Sequence, residues 1–203
     1  MTAGQSAADH AAEIRAAAPW WRRFLSSLGW LELGDTSWDI GARGERLTAA
    51  LLQPMTALGW HIHHDRAIPR SGANIDHLLI TPDGLGAYVI DTKWWSAQNE
   101  VSVTRHGRLV HGTADRHRSV TTAIRTAHRV EEALGVPVRP VIAIYGAPVT
   151  GGRLTVDGVL IIPVGELVPL LEERAAKTRR APGPARSLSL RAAREFPAYT
   201  RTH

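Results

Sequence analysis

The residues best suited to chemistry are an acid and a lysine two positions apart in an apolar run, Asp91 and Lys93. Side chains alternate faces along a strand, so both point to one face at the end of a strand predicted over Gly86–Lys93. The preceding run, Asn74–Ile80, carries Asp76 among apolar residues. If these two strands pair as a hairpin, the carboxylates of Asp76 and Asp91 converge.

Two neighbouring carboxylates in apolar strands are costly to bury, and a divalent cation relieves both their desolvation and their mutual repulsion. Hard oxygen ligands favour Mg²⁺ or Mn²⁺ over zinc. A bound cation would polarise a phosphate oxygen and lower the pKa of a bound water. Lys93, one of only two lysines in the chain, would orient that water or stabilise developing charge. The pattern predicts phosphodiester hydrolysis.

A further carboxylate, Glu45, lies in a helix predicted over Gly41–Leu58, with a kink at Pro54. It lies beside the predicted apolar stripe of that helix, so it could reach the sheet and complete the metal shell. On residue physics alone, a first-turn glutamate stabilised by the helix dipole explains it better. The stripe comprises Leu47, Ala50, Leu51, Met55 and Leu58.

The remaining periodicity predicts an α/β fold with a mixed central sheet flanked by helices. Turn residues separate the three strands that follow the first helix. Further strands are predicted over His61–Ile68, Val138–Tyr145 and Val159–Val164, helices over Ser119–Leu134 and Glu166–Ala176, and a short hairpin in VSVTRHGRLV with Gly107 at its tip.

Three short motifs occur in order on these elements: G-A-R-G-E at 41–45, N-I-D-H at 74–77 and Y-V-I-D-T-K at 88–93. Together they resemble the NERD family, the nuclease-related domain, over roughly Ile40–Leu171. The resemblance implies a restriction-endonuclease-like three-layer core with a PD-(D/E)xK site. The implied catalytic residues are Glu45, Asp76, Asp91 and Lys93. The implied ligands of Mg²⁺ or Mn²⁺ are Asp76, Asp91, Glu45 and Thr92.

The chain departs from the family pattern at three places. Ile75 stands where the signature has proline, and Asp91 stands where glutamate is usual. The aspartate is one methylene shorter, which would shift or weaken the metal. Before the second long helix the family tends to have Asn-Pro followed by Gln, whereas this chain reads R-S-V-T-T at 118–122. Any contact made by that glutamine is therefore absent.

Charge and composition limit the classes of binding partner and cofactor that we expect. The net charge of +5 favours a polyanionic partner, with nucleic acid as the leading candidate. For the nuclease that the resemblance implies, we expect DNA as the substrate. Backbone contacts without base reading predict little sequence specificity. Disulfides and thiolate sites are excluded because the chain has no Cys. No phosphate-loop motif is present, so we expect no nucleotide cofactor. The candidate phosphate-binding residues are Arg43, Arg46, Arg105, Arg108, Arg116 and Arg118.

Several histidines are alternative candidates for a functional site. His61 and His63 share a strand face, but no acidic or Cys partner follows at metal-site spacing, so we do not expect zinc. We expect His77 to be a hydrogen-bonded structural residue rather than a base. A polar stretch carries three more histidines that could meet phosphates, with solvent exposure as the default expectation: His106, His111 and His117.

The nuclease-like domain is predicted over residues 40–176, between an Ala- and Trp-rich extension over 1–39 and a loosely ordered basic tail over 177–203. Without a signal-like or membrane-spanning stretch, we expect a cytoplasmic protein with no membrane association. Two alternatives remain open. One is a nucleic-acid-binding module without turnover, and the other is a membrane- or protein-interaction module organised by the Trp-rich segment.

Overall fold

The computed structural model describes the backbone of residues 37–199 and the side chains of residues 41–199. The predicted N-terminal arm and the Trp-rich segment over residues 19–35 lie outside the described residues. In chain order the helices are α1 (Ser37–Leu52), α2 (His117–Leu134), α3 (Leu167–Ala176) and α4 (Pro182–Glu195), and the strands are β1 (His61–Ala67), β2 (Asn74–Ile80), β3 (Ala87–Trp95), β4 (Val101–Val103), β5 (Leu109–His111), β6 (Ala114–Asp115), β7 (Val138–Gly146), β8 (Leu154–Val156) and β9 (Val159–Pro163).

Six strands form one mixed sheet in the order β1-β2-β3-β7-β9-β8. Strands β1 to β3 pair antiparallel, β3, β7 and β9 pair parallel, and β8 closes the edge antiparallel to β9. A parallel pair needs a crossover, which α2 supplies between β3 and β7. The predicted hairpin is confirmed as β4 and β5, which form a small second sheet with β6.

Helices α1 and α2 cover opposite faces of the sheet. Thr92 of β3 contacts Thr48 of α1, whereas the adjacent Lys93 lines a cleft with Ser119 of α2. Successive strand residues point to opposite faces, so the two helices form the outer layers. The chain therefore has the three-layer restriction-endonuclease-like core that was expected.

Among the described residues, two apolar clusters that include α2 lie against the sheet. One joins β2 and β3 to α2 and α4, and the other joins β7 and β9 to the N-terminal half of α2 and the small sheet. Both clusters include one face of α2, so the helix is fixed along its length by apolar burial. Its buried residues are Val120, Ala123, Ala127, Val130 and Leu134.

The predicted first helix differs from the observed one in length and in its buried face. Helix α1 begins at Ser37 and ends at Leu52, and Pro54 then leads a 3₁₀ turn over Gln53–Leu58. Ala50, predicted to be buried, is exposed, whereas Gly44 and Thr48 are buried. Small residues form this face because α1 packs so closely on β3 that a Cβ at Gly44 would lie 3.3 Å from the Thr92 methyl.

The loosely ordered tail predicted after Lys177 is wrong for most of its length. Helix α4 spans Pro182–Glu195 and buries Leu188 and Ala192 in the core. Arg66 of β1 caps the C-terminal end of α4 by donating to the carbonyl oxygens of Phe196, at 2.6 Å, and Ala193, at 3.1 Å. Sequence patterning missed these contacts because arginine, proline and glycine dominate the composition of the segment.

Among the described residues, no helix has the length and apolar character that crossing a bilayer requires.

Candidate active site

The candidate site lies where β2 and β3 separate. Their pairing runs only from Ile80 opposite Ala87 to His77 opposite Ile90. Each strand continues beyond that point with its other neighbour, β2 with β1 and β3 with β7. Asp76 and Asp91 are the next residues in the two strands. The fork therefore opens between the two predicted carboxylates.

Asp76 compensates for the lost strand pairing at the fork. Its Oδ2 atom accepts a hydrogen bond of 3.0 Å from the backbone N–H of Thr92. Within a strand the N–H and C=O of one residue point to the same side. The Thr92 carbonyl therefore also lies on the edge of β3 that faces Asp76.

Asp91 and Lys93 share the α2 face of β3, as their spacing predicted. The Lys93 Nζ lies 2.7 Å from Asp91 Oδ1, and the two side chains are 33% and 28% exposed. An ion pair of this partial exposure is accessible to a ligand from the cleft while remaining shielded from bulk water.

Burial and neighbouring charges shift the pKa values of the ionisable groups at the fork. Burial and the Asp91 charge raise the pKa of Asp76 to about 7, against the hydrogen bond from Thr92, and Glu45 acts in the same direction as Asp91. Burial also raises the pKa of Asp91, although Lys93 opposes it. Burial disfavours the Lys93 charge, but Asp91, with Asp76 and Glu45, holds the pKa of Lys93 above its ordinary value. The charges of Asp91 and Glu45 thus act on both Asp76 and Lys93.

Glu45 lies on α1, which docks closely on β3, and its charge acts on both Asp76 and Lys93. Its side chain is partly buried. One residue before it, Gly44 permits the close approach, and one turn later the Thr48 hydroxyl accepts a hydrogen bond of 3.2 Å from the Thr92 hydroxyl. Thr48 also donates to the Gly44 carbonyl at 3.0 Å and lies 3.3 Å from the Tyr145 hydroxyl. These buried hydroxyl contacts join α1 to β3 beside the site, and no motif in the sequence indicates them.

His77 is structural, as expected. It is 1% exposed, its Nδ1 lies 2.8 Å from Nδ1 of His64, and its Nε2 lies 3.4 Å from the Thr92 hydroxyl. Burial, with a smaller contribution from His64, lowers the pKa of His77 to about 3. The neutral imidazole of His77 is held between His64 and Thr92, on the opposite face of β2 from the Asp76 side chain.

Two openings adjoin the fork. A cavity of about 40 Å³ lies between β2, β3 and α2 and is lined by both Asp76 and Asp91. A cleft of about 310 Å³ is lined by Asp91 together with Lys93, Asp115, Arg116 and Arg118. The acid and the ammonium are therefore accessible from a basic cleft at the N-terminal end of α2.

The six predicted phosphate-binding arginines fall into different settings. Arg116 and Arg118 line the cleft, and the Arg116 guanidinium lies 5.5 Å from the centre of the Trp95 ring. Arg108 forms an exposed ion pair of 2.6 Å with Asp115, which reduces its availability to phosphate. Three others lie elsewhere: Arg43 and Arg46 on α1, and Arg105 in the hairpin loop.

The default expectation of solvent exposure fails for His111. His111 is buried against Trp95, with ring centres 5.6 Å apart, and its Nε2 lies 2.9 Å from the Ser96 carbonyl oxygen. His117 is partly buried and lies 3.4 Å from Asp157. His106 is exposed, as expected.

No three His, Asp or Glu side chains within the described part of the chain are gathered closely enough to enclose a metal ion. Asp76 and Asp91 are nevertheless acids whose charged forms are disfavoured where they stand. A cation between them would favour the ionised state of both.

The sequence model of the family described as NERD, nuclease-related domain, matches residues 40–145. This range is just over half of the 203-residue chain and contains the four predicted catalytic residues. It ends before the predicted boundary at Leu171. No curated protein and no solved structure gives a significant match.

Proposed function

The chain belongs to the nuclease-related domain family, and we propose on that premise that it is a metal-dependent nuclease of the PD-(D/E)xK type. The observation that carries the proposal is the fork between β2 and β3. There Asp76 of β2 lies beside Asp91 and Lys93 of β3, next to an open cleft that Arg116 and Arg118 also line. We propose nucleic acid as the substrate, with DNA as the first to test.

The donor set fits Mg²⁺ or Mn²⁺ better than zinc. Mg²⁺ is commonly held by one or two carboxylates together with water and substrate phosphate, whereas structural and catalytic zinc sites need three or four protein ligands. Asp76 and Asp91 would supply the two carboxylates. Glu45 and the Thr92 carbonyl are candidates to complete the set from α1 and the edge of β3. When bound, the cation would polarise a phosphate oxygen and lower the pKa of a coordinated water.

The protein's own residues position the reaction. The Asp91 carboxylate fixes the Lys93 ammonium at the mouth of the cleft, where it can contact a phosphate oxygen or the attacking water. Thr92 keeps Asp76 oriented through its backbone N–H. Arg118 and Arg116 would hold flanking phosphates, which favours binding with little sequence preference.

The chain offers a matched test because it has only two lysines. Lys93 lies in the site, whereas Lys177 is 69% exposed and paired with Glu173 outside it. With Mg²⁺, we expect wild-type protein and Lys177→Ala to nick supercoiled plasmid DNA. Lys93→Ala should be slower by roughly 100-fold or more, the typical loss when a transition-state contact is removed. Equal nicking by the two variants would refute the assignment of Lys93.

One observation favours a second candidate, a nucleic-acid-binding module without turnover. Oδ1 of Asp91 is taken by Lys93 and Oδ2 of Asp76 by Thr92, so both acids have partners without any metal. In that case DNA binding would persist with EDTA and in Asp76→Asn with Asp91→Asn. The plasmid assay would then show no nicking by any variant.

A further inference from the structure

An arginine stripe runs along the outer face of α2, away from the sheet. It comprises Arg118, Arg125 and Arg129, which are all exposed. At 100° per residue these three positions fall within about 40° of one another, directly opposite the buried face of the helix. Arg118 lines the cleft that contains Lys93, and Arg125 and Arg129 line a second groove of about 370 Å³ further along α2, which Glu132 also lines. The stripe therefore continues outward from the candidate site.

The order of the charges along α2 is unfavourable for the stability of the helix. Residues 117–130 contain three arginines and two histidines but no acid, and Glu131 and Glu132 follow near the C-terminal end. No acid lies in the first turn and no base in the last. A helix dipole favours the opposite order, with acids first and bases last. This arrangement instead spreads positive charge from the end of α2 nearest the site, at Arg118, as far as Arg129.

The stripe arginines have no acidic partners within the described residues. Some other exposed cations there do have them, such as Arg108 with Asp115 and Lys177 with Glu173, so what distinguishes the stripe is that its unpaired arginines are aligned on one helix face. A solvated helix face usually carries acids and bases three or four residues apart. Arg129 and Glu132 have that spacing but form no ion pair. Unpaired guanidinium groups in line are suited to successive phosphates.

We propose that this arginine stripe binds the phosphate backbone of the nucleic-acid strand that leads away from the cleft, an inference that rests on the proposed function. From Arg118 to Arg129 the helix rises about 16 Å, the axial length of about five nucleotides of a duplex strand. Glu131 and Glu132 would repel phosphate groups, so the proposed contact with the strand ends after Arg129. The bound strand therefore extends about five nucleotides from the cleft along α2.

Binding and cleavage are tested separately, using the full chain. Binding of a fluorescein-labelled 30-base-pair DNA is measured by anisotropy over a salt series, with Ca²⁺ in place of Mg²⁺. The test variant is Arg125→Ala with Arg129→Ala. The control, Arg139→Ala with Arg186→Ala, removes the same charge from exposed positions near the β2–β3 turn, at the opposite end of the sheet from Lys93. Alanine is favourable in helices, so the fold of α2 is retained.

Losing two phosphate contacts should lower the slope of log K against log salt by about 1.8 and weaken binding about thirtyfold at 0.15 M salt. The control should stay close to wild type. Equal slopes for the test and control variants, or no binding by wild type, would overturn the inference. Cleavage of thymidine 5′-(4-nitrophenyl phosphate), which is too short to reach Arg125, reports the proposed function alone. Its rate should be unchanged in the test variant, and a loss there would show damage to the site and overturn a purely backbone-binding role.

Discussion

Replacing Asp76 with asparagine is expected to stabilise the metal-free protein while removing nuclease activity. The Asp76 carboxylate is partly buried next to Asp91, and its ionised form is disfavoured there. Asparagine keeps an acceptor oxygen for the Thr92 N–H and removes the charge. Catalytic groups that are costly in the folded state commonly show this trade between stability and function.

The magnitude follows from the pKa of Asp76, which burial and Asp91 raise from 3.8 to about 7. A rise of about 3 units corresponds to about 4 kcal/mol at high pH. The weaker hydrogen bond from Thr92 to a neutral amide offsets part of this, so we expect a gain of ~1–3 kcal/mol. The folded state binds the extra proton between about pH 4 and pH 7. Wild-type stability therefore falls as pH rises through that window, and the gain from Asp76→Asn grows with it.

The assay is urea unfolding with EDTA at pH 5 and pH 8, followed by addition of Mg²⁺. Asp83→Asn is a control for which the expected change in the free energy of unfolding has the opposite sign. Although burial acts to raise it, hydrogen bonds from Thr81 and the Leu85 N–H hold the pKa of Asp83 below its ordinary value. That variant should be less stable than wild type at pH 8. Mg²⁺ should stabilise wild type but not Asp76→Asn.

The reasoning would be refuted if Asp76→Asn were no more stable than wild type at pH 8 with EDTA, or if its gain were larger at pH 5. Either result would mean that the ionised form of the Asp76 carboxylate is not destabilised at the fork. The case for a cation between the two acids would then lose its electrostatic basis.

Two further substitutions test the scaffold. Thr48→Val should lower the free energy of unfolding by ~1–3 kcal/mol, because the buried Thr92 hydroxyl loses an acceptor; Thr48→Ser should restore most of it in chemical unfolding. Gly84→Ala should lower the melting temperature, because φ at Gly84 is +69° and a Cβ would lie 2.5 Å from the Ala185 nitrogen. Gly72→Ala, with nothing within 4 Å of its Cβ, is the matched control and should melt like wild type.

Local patterns predicted the parts of the site that lie on one strand. Alternation alone placed Asp91 and Lys93 on one face, and they form an ion pair there. The turn residues after Ile80 predicted the β2–β3 hairpin, and hence the approach of Asp76 to Asp91. The register of this hairpin could not be read from the sequence. It pairs His77 with Ile90 and stops, so that Asp76 faces the Thr92 N–H instead of a strand partner.

Features that depend on packing between distant segments were not predictable. Gly44 and Thr48 look like weak helix positions in isolation, because glycine and β-branched residues lower helix propensity. They become the buried face of α1 only because β3 presents Thr92 at short range. Similarly, α4 has a sequence typical of a flexible tail, and its stability comes from Leu188, Ala192 and the Arg66 cap. In both places tertiary contacts outweigh local composition.

The fork also explains why a site of this kind lies at the end of a strand pair rather than in its middle. In a continuous ladder the Thr92 N–H would bond to a backbone carbonyl, and a side chain could not reach it. Separation of β2 from β3 frees one backbone donor and the carbonyl beside it, and Asp76 uses the donor. The carbonyl lies on the same edge as two acids whose charge is disfavoured. Loss of strand pairing at this point therefore leaves a backbone carbonyl beside the two carboxylates, which are the oxygen ligands that the proposed cation would need.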